Sequence, residues 1–459
     1  MSTQQKVSFY NLAWRWHFYA GLFVAPFMVL LALTGIIYLF KPQLDPLLYG
    51  HLLSVPAAEH ALSADEQLQR ARAAYPQAAI SKYLPPANAT SSAQFVMHNQ
   101  GREISVFVDP YRGTVLGEQD AKYNLQAIAR ALHGELMIGT TGDRLIELAA
   151  GWGVMLVVSG LYLWWPRGKS SAGILWPRLN RRGRVFWRDL HAVAGFWGAA
   201  FLLVMLLSGM TWTGFWGKQY AALWNTFPAA MWNNVPQSDQ QARVLNTATQ
   251  QTVPWALENT PMPMSGDHAE HMNHGAMHAG PAAPTVRLQQ VVDLANARKV
   301  EPGYSITFPT TATGVFTVAV FANDPRNDAT LHVDQYTGKV LADVRWEHYN
   351  LVARATETGV MLHEGKMFGW INQLIVLVIC LMILLSAVSG VVIWWKRRPQ
   401  GGLGVPPLRH DVPKWKTAMV IMLGLAIIFP LVGASLILVW ALDRLVLSRF
   451  FAQGESASG

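Results

Sequence analysis

The sequence predicts an α-helical integral membrane protein with five transmembrane helices, an internal duplication and two small α+β modules outside the membrane. Three observations predict this class: five long apolar stretches, few charged residues, and a second half that repeats the first. Of the 459 residues, 51% are hydrophobic and only 14% are charged, whereas soluble domains carry about 25% charge. This composition argues against an ordinary soluble enzyme.

Five apolar stretches are each long enough to cross about 30 Å of hydrocarbon, which takes roughly 20 helical residues. The first runs into Lys41-Pro42 without a small-residue cleavage site, so we expect a retained anchor and not a signal peptide. The predicted regions are a first span within 1–40, an outer module at 41–143, a span at 144–165, a basic loop at 166–189, a span at 190–216, a second outer module at 217–368, a span at 369–395, a basic loop at 396–416, and a fifth span (417–441) with a tail at 417–459.

Positive charge is concentrated in the two short connections. Residues 166–188 contain seven Lys or Arg and no acid, and residues 396–416 contain six against one Asp. The positive-inside rule then places the N-terminus and both short loops in the cytoplasm, and the long connections and the C-terminus outside. The positive charge therefore indicates how the chain is oriented in the lipid bilayer. We expect no nucleic-acid partner. The single cysteine, Cys380, excludes an internal disulfide.

The chain repeats itself in the membrane. "WHFYAG…LLALTGIIY" resembles "LHAVAG…VMLLSGMTW", with a histidine followed by glycines four and eighteen residues later in both. "LHGELMIG…VVSGLYLWW" resembles "LHEGKMFG…AVSGVVIWW", with 27 residues from histidine to the later glycine in both. Because each repeated unit holds two spans, both copies face the same way and a pseudo-twofold axis should run along the membrane normal.

The outer connections repeat as well. "FVDPYRGTVLGE" (107–118) resembles "HVDQYTGKVLAD" (332–343), and each reads as a hairpin around a Tyr-x-Gly turn. A helix precedes each hairpin. Ser63 can cap the first, and the second should run roughly from Val286 to Lys299. Each module therefore combines a helix with a small antiparallel sheet.

Four histidines are repeated at the membrane edges. His17 and His191 begin spans at the cytoplasmic side, and His133 and His363 precede spans at the outer side. Ionisable residues in such places call for a functional hypothesis. The pseudo-twofold axis should set His17 opposite His191 and His133 opposite His363, an arrangement that suits two b-type haems with bis-histidine ligation, one at each depth.

Small residues follow the inner histidines on the same helix face, where they would let a macrocycle lie against the backbone. These predicted packing positions are Gly21, Gly35, Gly195 and Gly209. Glycines in membrane helices also serve helix packing alone, and a histidine at a helix entry is often only an interfacial polar residue. A bis-histidine metal site without porphyrin would need further protein ligands. Glu135 and Glu364 lie next to the outer histidines, but they do not occupy equivalent positions of the repeat and so do not form a repeated ligand pair.

These motifs, together with the strand-turn "FVDPYRGTVLG", resemble the family of PepSY-associated transmembrane-helix proteins over most of residues 10–400. That family includes iron-regulated inner-membrane siderophore reductases of Gram-negative bacteria. The resemblance implies PepSY-like outer modules, b-type haems on the four histidines, and reduction of ferric-siderophore iron at the periplasmic face. Some relatives carry a fused flavin reductase domain, and this sequence has no Gly-rich nucleotide loop. The electron donor is then quinol or a separate cytosolic reductase.

One segment departs from the repeat. Residues 262–278 read "MPMSGDHAEHMNHGAMH" and combine thioether and imidazole groups that suit copper or other late transition metals. The candidate ligands are His268, His271, His274, His278, Met272 and Met277, with Met262 and Met264 nearby. A linker with incidental His and Met is the alternative.

Other charged groups are weaker candidates. We interpret Asp143, Arg144 and Glu147 as a charge cluster at the membrane interface. Arg144 could bind a haem propionate there. Arg15 and Arg188 could do the same at the inner face. We find no residues for acid–base or nucleophilic catalysis on a substrate. The sequence thus predicts a di-haem electron carrier that reduces a ferric chelate, with the alternatives of a Cu(II) acceptor or of a non-redox anchor for periplasmic protein-binding modules.

Overall fold

A computed structural model describes residues 9–166, 173–224, 232, 234–246, 252–266, 285–398 and 416–442. The chain forms two compact units. A helical unit contains Met1–Ile36, Leu132–Lys218 and Leu377–Gly459, and a sheet unit contains Ile37–Ala131 and Gln219–Val376.

Four helices in the described part of the chain are long and apolar enough to cross a membrane. They are α1 (Phe9–Leu39), α5 (Thr140–Trp164), α6 (Arg184–Met210) and α10 (Trp370–Arg397). In the helical unit, residues of α1, α5 and α6 share one apolar cluster that includes Val24, Val154 and Leu206. Their apolar surfaces are in part exposed in the isolated chain, as expected for helices that face lipid.

The fifth apolar stretch forms two helices, α11 (Lys416–Ile428) and α12 (Pro430–Leu442). Proline lacks an N–H and interrupts the helical ladder at this junction. The helical path nevertheless continues, because the Phe429 N–H donates to Leu425 O and the Gly433 N–H donates to Phe429 O. Each half is shorter than the roughly 20 residues that a straight span requires.

The sheet unit contains one eight-stranded antiparallel sheet to which both copies of the repeat contribute. Its strands are β1 (Ala79–Leu84), β2 (Ala93–Asn99), β3 (Arg102–Val108), β4 (Val115–Asp120), β7 (Ser305–Thr307), β8 (Val315–Val320), β9 (Ala329–Asp334) and β10 (Val340–Arg345). The strand order is β10-β9-β8-β7-β1-β2-β3-β4. The two predicted modules therefore form one sheet, joined where Tyr83 of β1 pairs with Ile306 of β7. A separate two-stranded sheet consists of β5 (Gln237–Gln241) and β6 (Pro261–Pro263).

Both predicted hairpins are confirmed, and an aspartate shapes each turn. Asp109 Oδ1 accepts the N–H groups of Tyr111 and Arg112, and Asp334 Oδ1 accepts those of Tyr336 and Thr337. Such side-chain bonds to the following backbone stabilise tight turns.

Two helices cover one face of the sheet around its apolar core. They are α3 (Ala64–Ala74) and α8 (Leu288–Ala297). The predicted cap is confirmed, since the Ser63 hydroxyl accepts the Glu66 N–H and the Glu66 carboxylate accepts the Ser63 N–H. The remaining helices are α2 (Lys41–Leu53), α4 (Leu125–Glu135), α7 (Trp216–Trp224) and α9 (Leu351–His363).

Candidate functional site

His17 is held on α1 by a hydroxyl group of α5. Its Nδ1 lies 2.9 Å from Ser159 Oγ, and Ser159 Oγ donates its own proton to Met155 O at 2.7 Å. The hydroxyl can therefore only accept from the imidazole, so that Nδ1 carries the proton and Nε2 keeps a free lone pair. The ring lies against Gly160, where an added Cβ would come within 3.2 Å of His17 Cε1.

His191 is held on α6 in the same way by α10. Its Nδ1 lies 2.9 Å from the carbonyl oxygen of Ser386 and 3.3 Å from Ser389 Oγ. A carbonyl is only an acceptor, so Nδ1 again carries the proton and Nε2 is available as a ligand. The ring lies against Gly390, 3.5 Å from the position of an added Cβ. The duplication has thus preserved a histidine on one helix and a Ser-Gly pair on the next.

The two inner histidines come together, as the repeat predicts. Their ring centroids are 6.2 Å apart and their planes are inclined by 83°. A metal ion bound between two imidazoles, with metal–nitrogen distances of about 2 Å, would place the ring centroids about 6 Å apart. The separation is therefore compatible with one metal centre that both imidazoles would bind.

His133, near the end of α4, shows the same kind of support. Its Nδ1 lies 3.0 Å from Thr34 Oγ1 of α1, and Thr34 donates its proton to Leu30 O. Gly35 lies beside the ring, because a Cβ added to Gly35 would be 3.7 Å from His133 Cε1. The end of α4 is fixed by close backbone packing, because a Cβ on Gly142 would come within 1.8 Å of Glu135 O.

His363 is the last residue of α9 and belongs to the sheet unit. Asn350 caps the start of this helix, since its side chain accepts the Ala353 N–H. The ligand role of His363 and its pairing with His133 stay predictions from the sequence.

The predicted packing glycines have different surroundings. A Cβ on Gly21 would meet Leu156 at 3.9 Å, whereas a Cβ on Gly195 would meet no atom within 4 Å. Gly195 therefore leaves open space one helical turn from His191. The roles of Gly21, Gly195 and Gly209 toward a macrocycle stay predictions.

Sequence reasoning missed the groups that orient the histidines. Ser159, Ser389 and Thr34 each precede a glycine against which an imidazole ring packs. A signal for them exists, because a hydroxyl residue followed by glycine occurs in all four long spans: Thr34-Gly35, Ser159-Gly160, Ser208-Gly209 and Ser389-Gly390.

The charged candidates near the start of α5 have structural partners. Glu147 is buried and accepts the N–H groups of Phe215 and Trp216 at 3.1 Å, which caps the start of α7. Arg144 forms ion pairs with Asp143 at 2.5 Å and with Glu147 at 3.8 Å. The predicted charge cluster is confirmed by these contacts, and its place at the membrane interface stays a prediction.

Near the start of α6, Arg188 is paired with Asp189 at 3.0 Å, and Asp189 is fully buried. Arg178 of the basic loop binds the same carboxylate through two nitrogens, at 2.7 and 3.0 Å. This bidentate pair ties the loop to α6. Arg15 donates to the Tyr19 hydroxyl at 3.3 Å.

The candidate soft-metal ligands of the His/Met-rich segment, from His268 to His278, lie outside the described residues. Met262 is described: it lies in β6 and is buried. Among the residues that the structure describes, no three His, Cys, Asp or Glu side chains are grouped closely enough to hold a metal ion.

Comparison with known proteins identifies the family of this chain. The chain matches no curated protein. The family model described as the PepSY-associated TM region matches residues 14–397, which includes all four candidate spans and both groups of outer strands. The chain is therefore a membrane protein of the PepSY-associated transmembrane family.

Proposed function

We propose that this protein is a haem-dependent electron carrier of the bacterial inner membrane that reduces the iron of a ferric siderophore at the periplasmic face. The observation that carries the proposal is the pair His17 and His191. Two imidazoles from equivalent positions of the repeat lie 6.2 Å apart, each with Nδ1 bound and Nε2 available.

The residues present fit a b-type haem better than a bare metal ion. A porphyrin supplies four nitrogen ligands of its own, so His17 and His191 would be enough to hold its iron. A bare ion would require further protein ligands. When bound, haem supplies a one-electron Fe(III)/Fe(II) couple.

The chain's own residues would orient and insulate this group. Ser159, and the Ser386 carbonyl with Ser389, fix the tautomer and the ring orientation of the two ligands. The substrate change is the gain of one electron by chelated Fe(III). Fe(II) is held less firmly by a hard oxygen chelator, so reduction promotes release of the iron.

The proposed topology follows from the basic loops. The N-terminus and both short loops would lie in the cytoplasm. The sheet unit, with its PepSY-like modules, would lie in the periplasm. Helices α11 and α12 would together form a fifth, kinked span. A second haem on His133 and His363 is proposed from the repeat alone. Electrons would enter from quinol or from a cytosolic reductase.

Two alternatives remain within the same family. The acceptor could be Cu(II), which the composition of 262–278 favours. Assays with ferric chelate and with Cu(II), on the full chain and on a variant without residues 262–278, separate the two acceptors. The other alternative is a non-redox membrane anchor whose sheet unit binds a periplasmic protein.

The deciding experiment is an absorption spectrum of the purified protein, made with ample haem supply, before and after reduction by dithionite. We expect a Soret band and a b-type reduced spectrum that are diminished in His17→Ala and in His191→Ala. His98→Ala, which removes an exposed imidazole of β2, is the matched control and should keep the full spectrum. A colourless protein would leave the anchor as the better description. A spectrum insensitive to both inner substitutions would refute the ligand role of His17 and His191.

A further inference from the structure

Three ionisable side chains of the second copy converge in the interior of the sheet unit. Asp328 follows the 3-10 helix Pro325–Asn327, Glu357 lies on α9, and Tyr349 follows the 3-10 helix Trp346–His348. The first 3-10 helix packs against both α9 and the second 3-10 helix, which brings the three residues together. Asp328 and Glu357 are 1% and 0% exposed, and Tyr349 is 5% exposed.

Each carboxyl group uses only one of its oxygens. Asp328 Oδ1 accepts the Ala322 N–H at 2.9 Å, and Glu357 Oε1 accepts the Ala256 N–H at 2.9 Å. Within the described part of the chain, Asp328 Oδ2, Glu357 Oε2 and the Tyr349 hydroxyl are buried without a hydrogen-bond partner. Buried polar atoms in native proteins are nearly always satisfied, so three together indicate that something else binds there.

The missing partner should be positively charged. No Lys or Arg among the described residues forms an ion pair with Asp328 or Glu357. Burial, reinforced by the charge of the neighbouring carboxylate, raises the pKa of Asp328 to about 9. Burial also raises the pKa of Glu357 to about 8, and burial with the charges of both carboxylates raises that of Tyr349. Two buried anions without a counter-charge are costly, and a dication would neutralise both.

A cavity of about 730 Å³ borders this group at Asp328. Asp328 and Glu301 line it, and Glu301 Oε2 is also buried without a partner in the described structure. Lys299, Arg326 and Arg345 line the cavity as well, but Arg326 pairs with Asp324 and Arg345 with Asp343. Asp328 thus forms part of the cavity wall, which is the side from which an ion would approach it.

We propose that Asp328 and Glu357 bind a hard divalent cation, with Ca²⁺ as the best match, beside the Tyr349 hydroxyl. The available donors are all oxygens, which is the ligand type of Ca²⁺ and Mg²⁺. Ca²⁺ accepts irregular sets of six to eight oxygens, which backbone carbonyls and waters can complete, whereas Mg²⁺ demands a near-ideal octahedron. The donors offer no sulfur and no free imidazole for a softer metal.

The site belongs to the second copy alone. When the two hairpins are aligned, Glu103 occupies the position of Asp328. When His133 is aligned with His363, Ala127 occupies the position of Glu357. The cation would therefore fasten α9, the helix that ends at His363, to the sheet in one copy only. This inference is independent of haem binding, because none of its residues takes part in the inner histidine pair.

The test uses the full chain in detergent, freed of metal with a chelator and titrated with CaCl₂ by calorimetry and by thermal melting. We expect one Ca²⁺ per chain, a higher melting temperature, and binding that weakens about tenfold per pH unit for each proton displaced as the pH falls below 8. Asp328→Asn and Glu357→Gln should abolish both effects.

Both variants should fold, since a neutral amide resembles the protonated carboxyl group, and tryptophan fluorescence checks this. Glu103→Gln is the matched control in the first copy and should bind Ca²⁺ like the parent. Absence of Ca²⁺ binding at pH 8, or binding that persists unchanged in Asp328→Asn and Glu357→Gln, would overturn the proposal. Equal or tighter binding of Mg²⁺ would overturn the choice of Ca²⁺.

Discussion

At the scale of single residues, the hydroxyl of Ser159 is the most informative group of the inner site. The His17 Nδ1–H donates to it. In the proposed haem site this bond would make the imidazole a more basic ligand and would stabilise the ferric form over the ferrous form. Ser159→Ala removes this acceptor and should raise the midpoint potential. A tenfold change in relative stability corresponds to about 60 mV for one electron.

A redox titration followed at the Soret band measures this shift. Ser435→Ala is the control: it removes a hydroxyl on α12 that Trp152 contacts and that bonds to no histidine among the described residues, so it should leave the potential unchanged. An unaltered potential in Ser159→Ala would show that this hydrogen bond does not tune the site.

Gly195 offers a second test at this scale, because it separates haem binding from ordinary helix packing. An added Cβ there meets no atom of the described chain within 4 Å, so Gly195→Leu should fold normally. If a macrocycle lies beside His191, the leucine occupies its place and haem content should fall several-fold. The ratio of Soret to protein absorbance measures it. Gly424→Leu, another position with open space, should retain haem, and equal retention in Gly195→Leu would contradict the predicted packing role.

The sequence allowed the pairing of His17 with His191 to be predicted, because the duplication alone implies that equivalent positions face each other. It did not indicate which helix supports which histidine. Ser159 and Ser389 lie more than 140 and 190 residues from their imidazole partners. Such contacts depend on the rotation of each helix about its axis, which an apolar helix with no marked polar face leaves open.

At the scale of elements, the two hairpins could be predicted from the sequence, but their assembly into one eight-stranded sheet could not. Local turn chemistry around Asp109 and Asp334 specifies each hairpin. The pairing of β1 with β7 joins two strand edges that are separated by more than 200 residues, and neither edge carries a local signal for the other. The pairing leaves both strands with partners on each side, so no edge is exposed at this position.

Lys82 of β1 gives an element-scale prediction, because it is buried on the sheet next to this junction. It is 7% exposed, its Nζ donates to Thr252 Oγ1 at 2.6 Å, and burial lowers its pKa to about 8. Below pH 8 the folded chain holds a desolvated charge, at a cost of about 3 kcal/mol. Lys82→Met removes this cost and loses a hydrogen bond worth about 1 kcal/mol.

We therefore expect Lys82→Met to melt at a higher temperature than the parent at pH 7. The advantage should shrink as the pH rises from 8 to 10.5, because the folded parent then releases its proton before the unfolded chain does and the cost disappears. Thermal melting at pH 7 and pH 9.5 measures both effects. Lys122→Met, at an exposed position, should change neither, and an advantage of Lys82→Met that is independent of pH would refute the assignment to buried charge.

At the scale of the whole molecule, duplication explains both units by one rule. Copying two spans with an intervening α+β segment yields paired histidines in the helical unit and a sheet whose two halves meet at β1 and β7. The copies then diverged: the buried acids Asp328 and Glu357 appear in the second alone. Because each copy contains two spans, the duplication also requires that both outer segments lie on the same side of the membrane.

That requirement can be tested by labelling from each side, since Cys380 is the only cysteine. In a Cys380→Ala background, a membrane-impermeant maleimide should label His98→Cys in intact spheroplasts. It should label Arg181→Cys, in the basic loop, only after the membrane is permeabilised, because Lys and Arg are retained on the cytoplasmic side. Ser458→Cys, in the tail beyond α12, should label in intact spheroplasts if α11 and α12 together cross the bilayer despite the break at Pro430. Labelling of Ser458→Cys only after permeabilisation would mean that this broken helix does not cross, and the chain would then have four spans and a cytoplasmic C-terminus.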